Sequence, residues 1–448
     1  MKDPRLDEPI SAIYHLYNGR HRHGPDAVVR HPEWTRHLLE ELGRPDDACP
    51  AIMVTGSKGK GSTAFYLASI LEAHGLSVGF FSSPHLVDNL ERLRLNRRAI
   101  SADAFLDAYR AVKPALDRVT ARIPPDQYLG PVGAFAALAA WYFREARADV
   151  AVYETGRGAR FDDVAEVHHQ GSIITRILLE HRHELGPTLA DIAWHKAGVV
   201  RPETAWVVAP RDPHLTPWLE AAGARWVADT TMVGRASAVA AGGMRFTIAM
   251  DRTGDPYPVS LPMWAPFAVA NARQALLAAQ HWLGPRFSLP TAAAALAHAR
   301  FPGRGDLLPS APPTLLDGAV RRESARAVVA AVQAARPGQH LASIVGVPAD
   351  KDWVGVAKVL APLGPLVFVN AKNRRLTFPQ RPQDRFPGSR WAPDLATAWR
   401  WARTSHPDLV LALGTQSLVA DVLEFFGWED ALLDLARAPE SPSLAQER

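Results

Sequence analysis

Apolar positions along this chain follow two alternating rhythms. Short, mostly apolar runs at 51–54, 78–81, 149–153, 172–177 and 205–209 have the length and composition of buried strands. Between them, apolar residues recur three and four apart, as a helix with one buried face requires. Ala64, Leu67, Ala68 and Leu71 do so within 63–74, and Trp34, Leu38, Leu39 and Leu42 do so in the first fifty residues. Ser101 is a suitable cap for the next helix. A helix over 131–147 carries Phe135, Trp141, Tyr142 and Phe143, which are assigned to the core. Another, opened by Pro187 and closed by Gly198, carries His195 and Lys196. Residues 91–96 alternate charged and apolar side chains, the pattern of a half-exposed strand. Strands and helices alternating at this rate predict an α/β fold with a mainly parallel sheet and helices on both faces.

The rhythm changes after residue 228. Residues 229–262 read as β-rich and irregular, and 267–282 as a helix carrying Asn271. At Phe301–Pro302–Gly303–Arg304–Gly305 the helical pattern breaks, which sets a domain boundary between 1–299 and 300–448. Beyond it, strands at 314–316, 341–347, 366–369 and 409–413 alternate with helices again, predicting a second, smaller α/β domain. There is no internal repeat, and the polar tail 438–448 is expected to be disordered.

Composition narrows the class. A chain of 448 residues exceeds one ordinary core, and 47% hydrophobic with 21% charged residues are globular values. A single cysteine, Cys49, excludes an internal disulfide framework and suits a cytoplasmic location. Met1–Lys2–Asp3–Pro4 lacks the apolar core of a signal peptide, and the longest apolar run, 133–143, is too short to span a bilayer. The net charge of +4 comes without any block of like charges, so no nucleic-acid or membrane partner is expected. A small anionic substrate accounts for the balance.

The candidate chemistry gathers where strands end. After 51–54 comes Gly56–Ser57–Lys58–Gly59–Lys60–Gly61–Ser62–Thr63, and then a helix. Strand, glycine turn and helix N-terminus direct several backbone N–H groups at one anion, and Lys60 adds a mobile cation. Ser62 or Thr63 offers a hydroxyl for the cap or for magnesium. The spelling is not that of a strict P-loop, because Val54 stands at the first glycine and Gly61 separates lysine from hydroxyl. Ser83, Glu154 and His181 fall at the ends of three further strands, where ligands sit in such sheets. A carboxylate and a hydroxyl beside a triphosphate cradle suit magnesium, which prefers oxygen ligands and keeps waters and phosphates. Taken singly, each has a structural explanation: a surface carboxylate, a turn serine, a satisfied histidine. Their joint placement favours function.

These motifs resemble the folylpolyglutamate synthase and dihydrofolate synthase family of the Mur ligase superfamily. The resemblance runs from the cradle through Phe81–Ser82–Ser83–Pro84–His85–Leu86 and Glu91–Arg92–Leu93–Arg94–Leu95–Asn96. It continues in Glu154–Thr155–Gly156–Arg157–Gly158, Glu180–His181, Leu185–Gly186 and His195–Lys196–Ala197–Gly198. It resumes in Pro302–Gly303–Arg304, Leu316–Asp317–Gly318–Ala319 and Asp350–Lys351–Asp352. The resemblance implies a P-loop-type ATPase domain followed by a smaller Rossmann-like α/β domain. It also implies an ATP- and Mg2+-dependent, ADP-forming ligase that activates a carboxylate as an acyl phosphate for attack by an amine. The substrates would be a small carboxylic acid and an amino acid, and a monomer is expected. By this similarity Lys60 holds the β- and γ-phosphates, and Ser83, Glu154, His181 and a carbamylated Lys196 surround magnesium. Asn271, Arg304 and Asp317 match positions that contact ATP, the last two from the linker and second domain, so domain closure is expected. A helix C-terminal lysine favouring the dipole is the plainer account of Lys196.

Three departures bear on the substrate. Where the family reads Asp-Gly-Ala-His-Asn-Pro, this chain has Asp317–Gly318–Ala319–Val320–Arg321–Arg322. Arg321 and Arg322 suit clamping an acidic substrate, and a solvated helix start fits them equally. The family's Arg-x-Asp-Ala-Thr-Asn run becomes Arg160–Phe161–Asp162–Asp163–Val164–Ala165, and Leu-Asp-His becomes Leu179–Glu180–His181. Ser417, after the last strand, is a further substrate candidate, with a turn residue as the plainer account. Three functions therefore stand: ligation of glutamate to dihydropteroate or a folate; amide ligation of another acid and amine; and a nucleotide-binding regulator without ligase chemistry. A nicotinamide dehydrogenase is disfavoured, because the cradle lacks the Gly-x-Gly-x-x-Gly order and carries a lysine.

Overall fold

The computed structural model describes residues 3–17, 24–240, 242–251, 254–373 and 375–436. The tail expected to be disordered, 438–448, lies outside them. The chain divides into two compact units: 1–231 with 250–252 and 270–295, and 232–249 with 253–269 and 296–448. The second unit thus takes in most of the β-rich stretch and the start of the Asn271 helix, besides the residues from 296 onward.

The first unit is built on a seven-stranded sheet of β1 (Ala51–Thr55), β2 (Val78–Phe81), β3 (Leu93–Leu95), β4 (Arg98–Ala99), β5 (Val150–Glu154), β6 (Gly171–Ile174) and β7 (Trp206–Val208). The order is β4-β3-β2-β5-β1-β6-β7, with five parallel strands and an antiparallel edge made by β3 and β4. Every residue of β1, β2, β5 and β6 is buried, the reason these strands read as mostly apolar runs. The Lys60–Ala73 helix follows β1, and the Ala102–Thr120 and Pro131–Glu145 helices lie between β4 and β5. Ser101 caps the Ala102–Thr120 helix as expected, its hydroxyl accepting from Ala104 N–H at 3.2 Å. Phe135 and Phe143 belong to the core of this unit, with Trp141 and Tyr142 packed at its edge.

Two local expectations are corrected. Residues 91–96 are not a half-exposed strand: Asn89–Arg92 is a 3-10 turn, β3 starts at Leu93, and Glu91, Arg92 and Arg94 are buried. The charged residues are inside because Glu91 is a loop anchor, its carboxylate accepting from the N–H groups of Leu86, Val87 and Asp88 at 3.2, 2.8 and 2.7 Å. The helix expected to open at Pro187 is Leu189–Ala197, and Thr188 with Asp191 forms its capping box.

In the second unit, β8 (Met232–Val233), β9 (Ser237–Ala238), β10 (Met244–Ala249) and β11 (Tyr257–Leu261) form a small antiparallel sheet in which β10 pairs with the other three. A six-stranded sheet follows, of β12 (Arg304–Leu308), β13 (Thr314–Asp317), β14 (Leu341–Gly346), β15 (Leu366–Val369), β16 (Arg390–Ala392) and β17 (Leu409–Gly414). Its order is β12-β13-β17-β14-β15-β16, parallel except for β12. The sequence pattern missed β12 because its register shifts between Arg304 and Asp306, where Gly305 has φ +68°. It missed β16 because three residues with an exposed arginine and tryptophan carry no apolar run.

Candidate active site

The carboxyl ends of β1, β2 and β5 deliver the cradle, Ser83 and Glu154; His181 does not end a strand as expected but opens a short helix well past the end of β6, and Lys196 and Asn271 come from helices. After β1 the chain turns through Gly56 and Gly59, at φ +136° and +90°, and enters the helix at Lys60. The turn is fastened to the exit of β6. Ser57 N–H donates to Arg176 C=O at 2.9 Å, Leu178 N–H donates to Ser57 Oγ at 3.0 Å, and Thr175 Oγ1 donates to Lys58 C=O at 2.7 Å. A Cβ on Gly56 would strike the Thr175 hydroxyl, and one on Gly59 the Asn271 carboxamide, so both glycines are required by contact as well as by φ. Lys60 Nζ donates to Gly56 C=O at 3.1 Å, its amine folded over the turn. Lys58 is exposed, Gly61 half-buried, and Ser62 and Thr63 are buried in the first turn of the helix.

The cradle fits a nucleotide's phosphates on its own chemistry. It offers a helix N-terminus, two backbone turns that exclude side chains and a flexible cation. Two buried polar atoms beside it, Thr63 Oγ1 and Asn271 Nδ2, have no hydrogen-bond partner among the described residues. Buried polar groups are rarely left so unless a ligand or water satisfies them.

Glu154 closes β5 and is buried; Ser83 follows β2 and donates its N–H to Glu154 Oε2 at 3.4 Å. Lys196 lies on the Leu189–Ala197 helix, fully buried, with Nζ 3.7 Å from Glu180 Oε1, beyond hydrogen-bond reach. Burial and the nearby positive charge of Lys60 push this amine down to about 7. His181 opens the short Arg182–Leu185 helix at φ 48°, with Nδ1 4.0 Å from Glu184 Oε2; partial desolvation holds it below the ordinary imidazole value. Among the described residues no group of three or more His, Cys, Asp or Glu side chains comes together closely enough to cage a metal. The donor set, a carboxylate and a hydroxyl on adjoining strand ends, suits magnesium that arrives with a nucleotide and keeps phosphate and water ligands.

A network not foreseen in the sequence supports the loop after Glu154. Thr55 Oγ1 donates to Gly158 C=O at 2.7 Å, and Thr155 Oγ1 donates to Thr55 Oγ1 at 3.0 Å. Arg157 pairs with Asp26 at 2.5 Å and Glu184 at 2.9 Å, and Arg30 pairs with Asp162 at 3.0 Å. Asp163 is buried against Thr35, whose hydroxyl donates to it at 2.9 Å, and burial raises its carboxyl to about 6. Asp26 and Thr35 carried no sequence signal, and only their burial and partners reveal them; Glu180 was read only as part of the Glu180–His181 motif.

In the second unit Arg304 opens β12 directly opposite Asp317, the last residue of β13. Asp317 is buried and Arg304 half-buried. Arg321 precedes the Arg322–Ala335 helix as its half-buried N-cap residue without capping it by its side chain. Arg322 is exposed and donates its N–H to Asp352 Oδ2 at 3.0 Å. Asp352 also accepts from Gly355 N–H at 3.0 Å, so it ties two helix starts together. Ser417 lies in the first turn of the Gln416–Phe425 helix and accepts from Asn373 Nδ2 at 3.2 Å. No helix among the described residues is long and apolar enough to cross a membrane.

No protein-family model matches the chain. It is 34% identical over 363 residues to a probable bifunctional folylpolyglutamate synthase/dihydropteroate synthase of Halobacterium salinarum; the match covers 80% of this chain and 43% of that protein, so the chain spans less than half of that relative's length. It is 29% identical over 339 residues to the folylpolyglutamate synthase of Lacticaseibacillus casei, covering 71% of this chain and 76% of the other. Among solved structures, folylpolyglutamate synthase of Mycobacterium tuberculosis complexed with ADP and AMPPCP matches at a TM-score of 0.82 and 22% identity, covering 97% of this chain and 99% of that one. That likeness is one of fold.

Proposed function

We propose that the chain, similar over most of its length to folylpolyglutamate synthases, is a member of the folylpolyglutamate synthase and dihydrofolate synthase family and an ATP-dependent, ADP-forming amide ligase. The proposed reaction joins glutamate to dihydropteroate or to a folate carboxylate. The observation that carries this reading is the convergence, at the carboxyl ends of β1, β2 and β5, of the glycine cradle, Ser83 and Glu154, with Lys196 buried in the electrostatic reach of Lys60.

A carboxylate is a poor electrophile, and transfer of the γ-phosphoryl group to one of its oxygens supplies a leaving group. ADP departs, the amine nitrogen attacks the acyl carbon, the amine proton leaves and phosphate is expelled as the amide forms. The protein's part is positioning and charge neutralisation. Gly56, Ser57, Lys58, Gly59, Gly61, Ser62 and Thr63 present backbone and hydroxyl groups to the phosphates. Lys60 swings from Gly56 C=O onto the β- and γ-phosphates, and Asn271 orients the nucleotide from beside Gly59. Magnesium would neutralise phosphate charge when bound, held by Ser83 and Glu154 with His181 and Lys196 around it. An amine held near pH 7 by burial is neutral often enough to take up CO2, and a carbamate at Lys196 exchanges a repelling cation for an oxygen ligand. Arg304 and Asp317 are assigned to the nucleotide, and Arg321, Arg322 and Ser417 to the substrate side, within a ligase domain spanning 300–448. A monomeric, cytoplasmic enzyme without nucleic-acid partners completes the proposal; the lone free thiol, Cys49, is in keeping with it. Turnover of ATP to ADP that requires acid and amine together is the test.

A further inference from the structure

Arg92 is the most conspicuous buried charge that the ligase chemistry leaves unused. It is 5% exposed, and none of its hydrogen bonds goes to a carboxylate. Nε donates to His85 Nδ1 at 3.0 Å and Nη2 to the Tyr14 hydroxyl at 3.2 Å. The hydroxyl in turn donates to Asn89 Oδ1 at 2.8 Å. The guanidinium lies 4.9 Å from the centroid of the Phe135 ring, and that ring meets Tyr14 edge-on at 5.9 Å. The adjacent carboxylate, Glu91, is occupied by the backbone N–H groups of Leu86, Val87 and Asp88. Among the described residues Nη1 has no hydrogen-bond partner.

Burying a cation without a carboxylate partner is unfavourable. Burial accordingly pulls this guanidinium below its ordinary value. The arrangement also fixes the orientation of the group. Two of five N–H donors are used, on Nε and Nη2, which leaves both hydrogens of Nη1 and one of Nη2 for an acceptor such as a carboxylate. The position is equally specific: Arg92 C=O accepts from Ser82 N–H at 3.1 Å, and Ser83, the next residue, bonds Glu154. Arg92 is thus held by its backbone against the carboxyl end of β2, next to Ser83, and its guanidinium is flanked by Tyr14, His85 and Phe135. A single fixed cation among aromatic groups suits a monoanionic aryl carboxylate better than a phosphate, which calls for more charge.

We propose that Arg92 binds the carboxylate of the acid substrate, with Tyr14, His85 and Phe135 holding the guanidinium in place. This rests on the ligase reading and adds a specificity residue to it. The test compares wild-type protein with R92M and R92K for calorimetric binding of 7,8-dihydropteroate and of its primary carboxamide. The wild type is expected to prefer acid over amide by about 10- to 100-fold, R92M to bind both alike, and R92K to fall between. The substrate-free thermal midpoint of R92M should equal or exceed that of the wild type, because an unpaired buried charge has been removed. An unchanged acid-to-amide ratio in R92M overturns the assignment, as does a lowered midpoint with both affinities falling together. If the wild type binds neither compound, benzoate and benzamide are compared by ligand-observed NMR, and absence of an Arg92-dependent preference overturns it there. ADP release with acid and amine judges the ligase reading separately.

Discussion

Lys196 Nζ stands 3.7 Å from Glu180 Oε1, in a site where the amine is fully buried and makes no hydrogen bond among the described residues. An ion pair at that separation, with Lys60 also acting on it, does not hold the lysine in its charged form; burial and Lys60 bring its pKa to about 7. The sign matters for carbamylation. Below pH 7 the amine is mostly protonated and unreactive toward CO2, and above pH 7 it is mostly neutral. Enzyme stripped of CO2 at low pH should regain activity with bicarbonate faster at pH 8 than at pH 6. Lys196→Ala should lose at least about 100-fold in turnover, with partial rescue by formate or acetate. Peptide masses of active enzyme showing only unmodified Lys196 would count against the carbamate.

Gly59 has φ +90° and its α-carbon faces the Asn271 carboxamide. Gly59→Ala should lower ADP affinity about tenfold or more. A left-handed alanine costs about 1–2 kcal/mol, and the displaced carboxamide adds to this. Calorimetric titration measures it, and ADP affinity within twofold of wild type would show that the turn does not hold phosphates.

The legibility of the chain follows from what each residue is for. β1, β2, β5, β6 and β14 are buried on both faces, so their apolar runs announce them. The cradle was legible because its glycines serve a backbone need that only glycine meets. The 91–96 segment was misread because Glu91 and Arg92 are buried for polar reasons, one binding three backbone N–H groups and the other carrying an Nη1 group with no partner among the described residues. Alternation of charge and apolarity cannot reveal such pairing. β12 was hidden by its own bulge glycine. Asp26 and Thr35 act across more than 120 residues of sequence, a distance over which no local pattern carries information.

Asp163 gives a pH dependence of opposite sign to an ordinary ion-paired carboxylate. Burial raises it to about 6 in the folded protein, against 3.8 as its ordinary value. The folded state therefore holds the proton more tightly than the unfolded state. Its contribution to stability is present below about pH 4 and is lost as pH rises through 6. Asp163→Asn, which keeps an acceptor for Thr35, should stabilise the protein at pH 7.5 by on the order of 1–3 kcal/mol and have little effect at pH 4. Denaturant unfolding at the two pH values checks this.

Glu91→Ala would leave the N–H groups of Leu86, Val87 and Asp88 without their acceptor, at roughly 1–3 kcal/mol for each that stays buried. Because this loop begins at Ser83, turnover should fall while ADP affinity changes little. Amide exchange at 86–88 should accelerate relative to β1. Unchanged exchange there would contradict the anchoring role.

The most direct test of the ligase assignment is ADP release by the full chain, followed in a coupled assay with dihydropteroate or tetrahydrofolate and glutamate, each omitted in turn. The expected result is ADP formed only when acid and amine are both present, with one ADP per amide bond and loss of the signal in Lys60→Ala. ADP release that needs neither substrate, or none with any acid and amine pair, would contradict it.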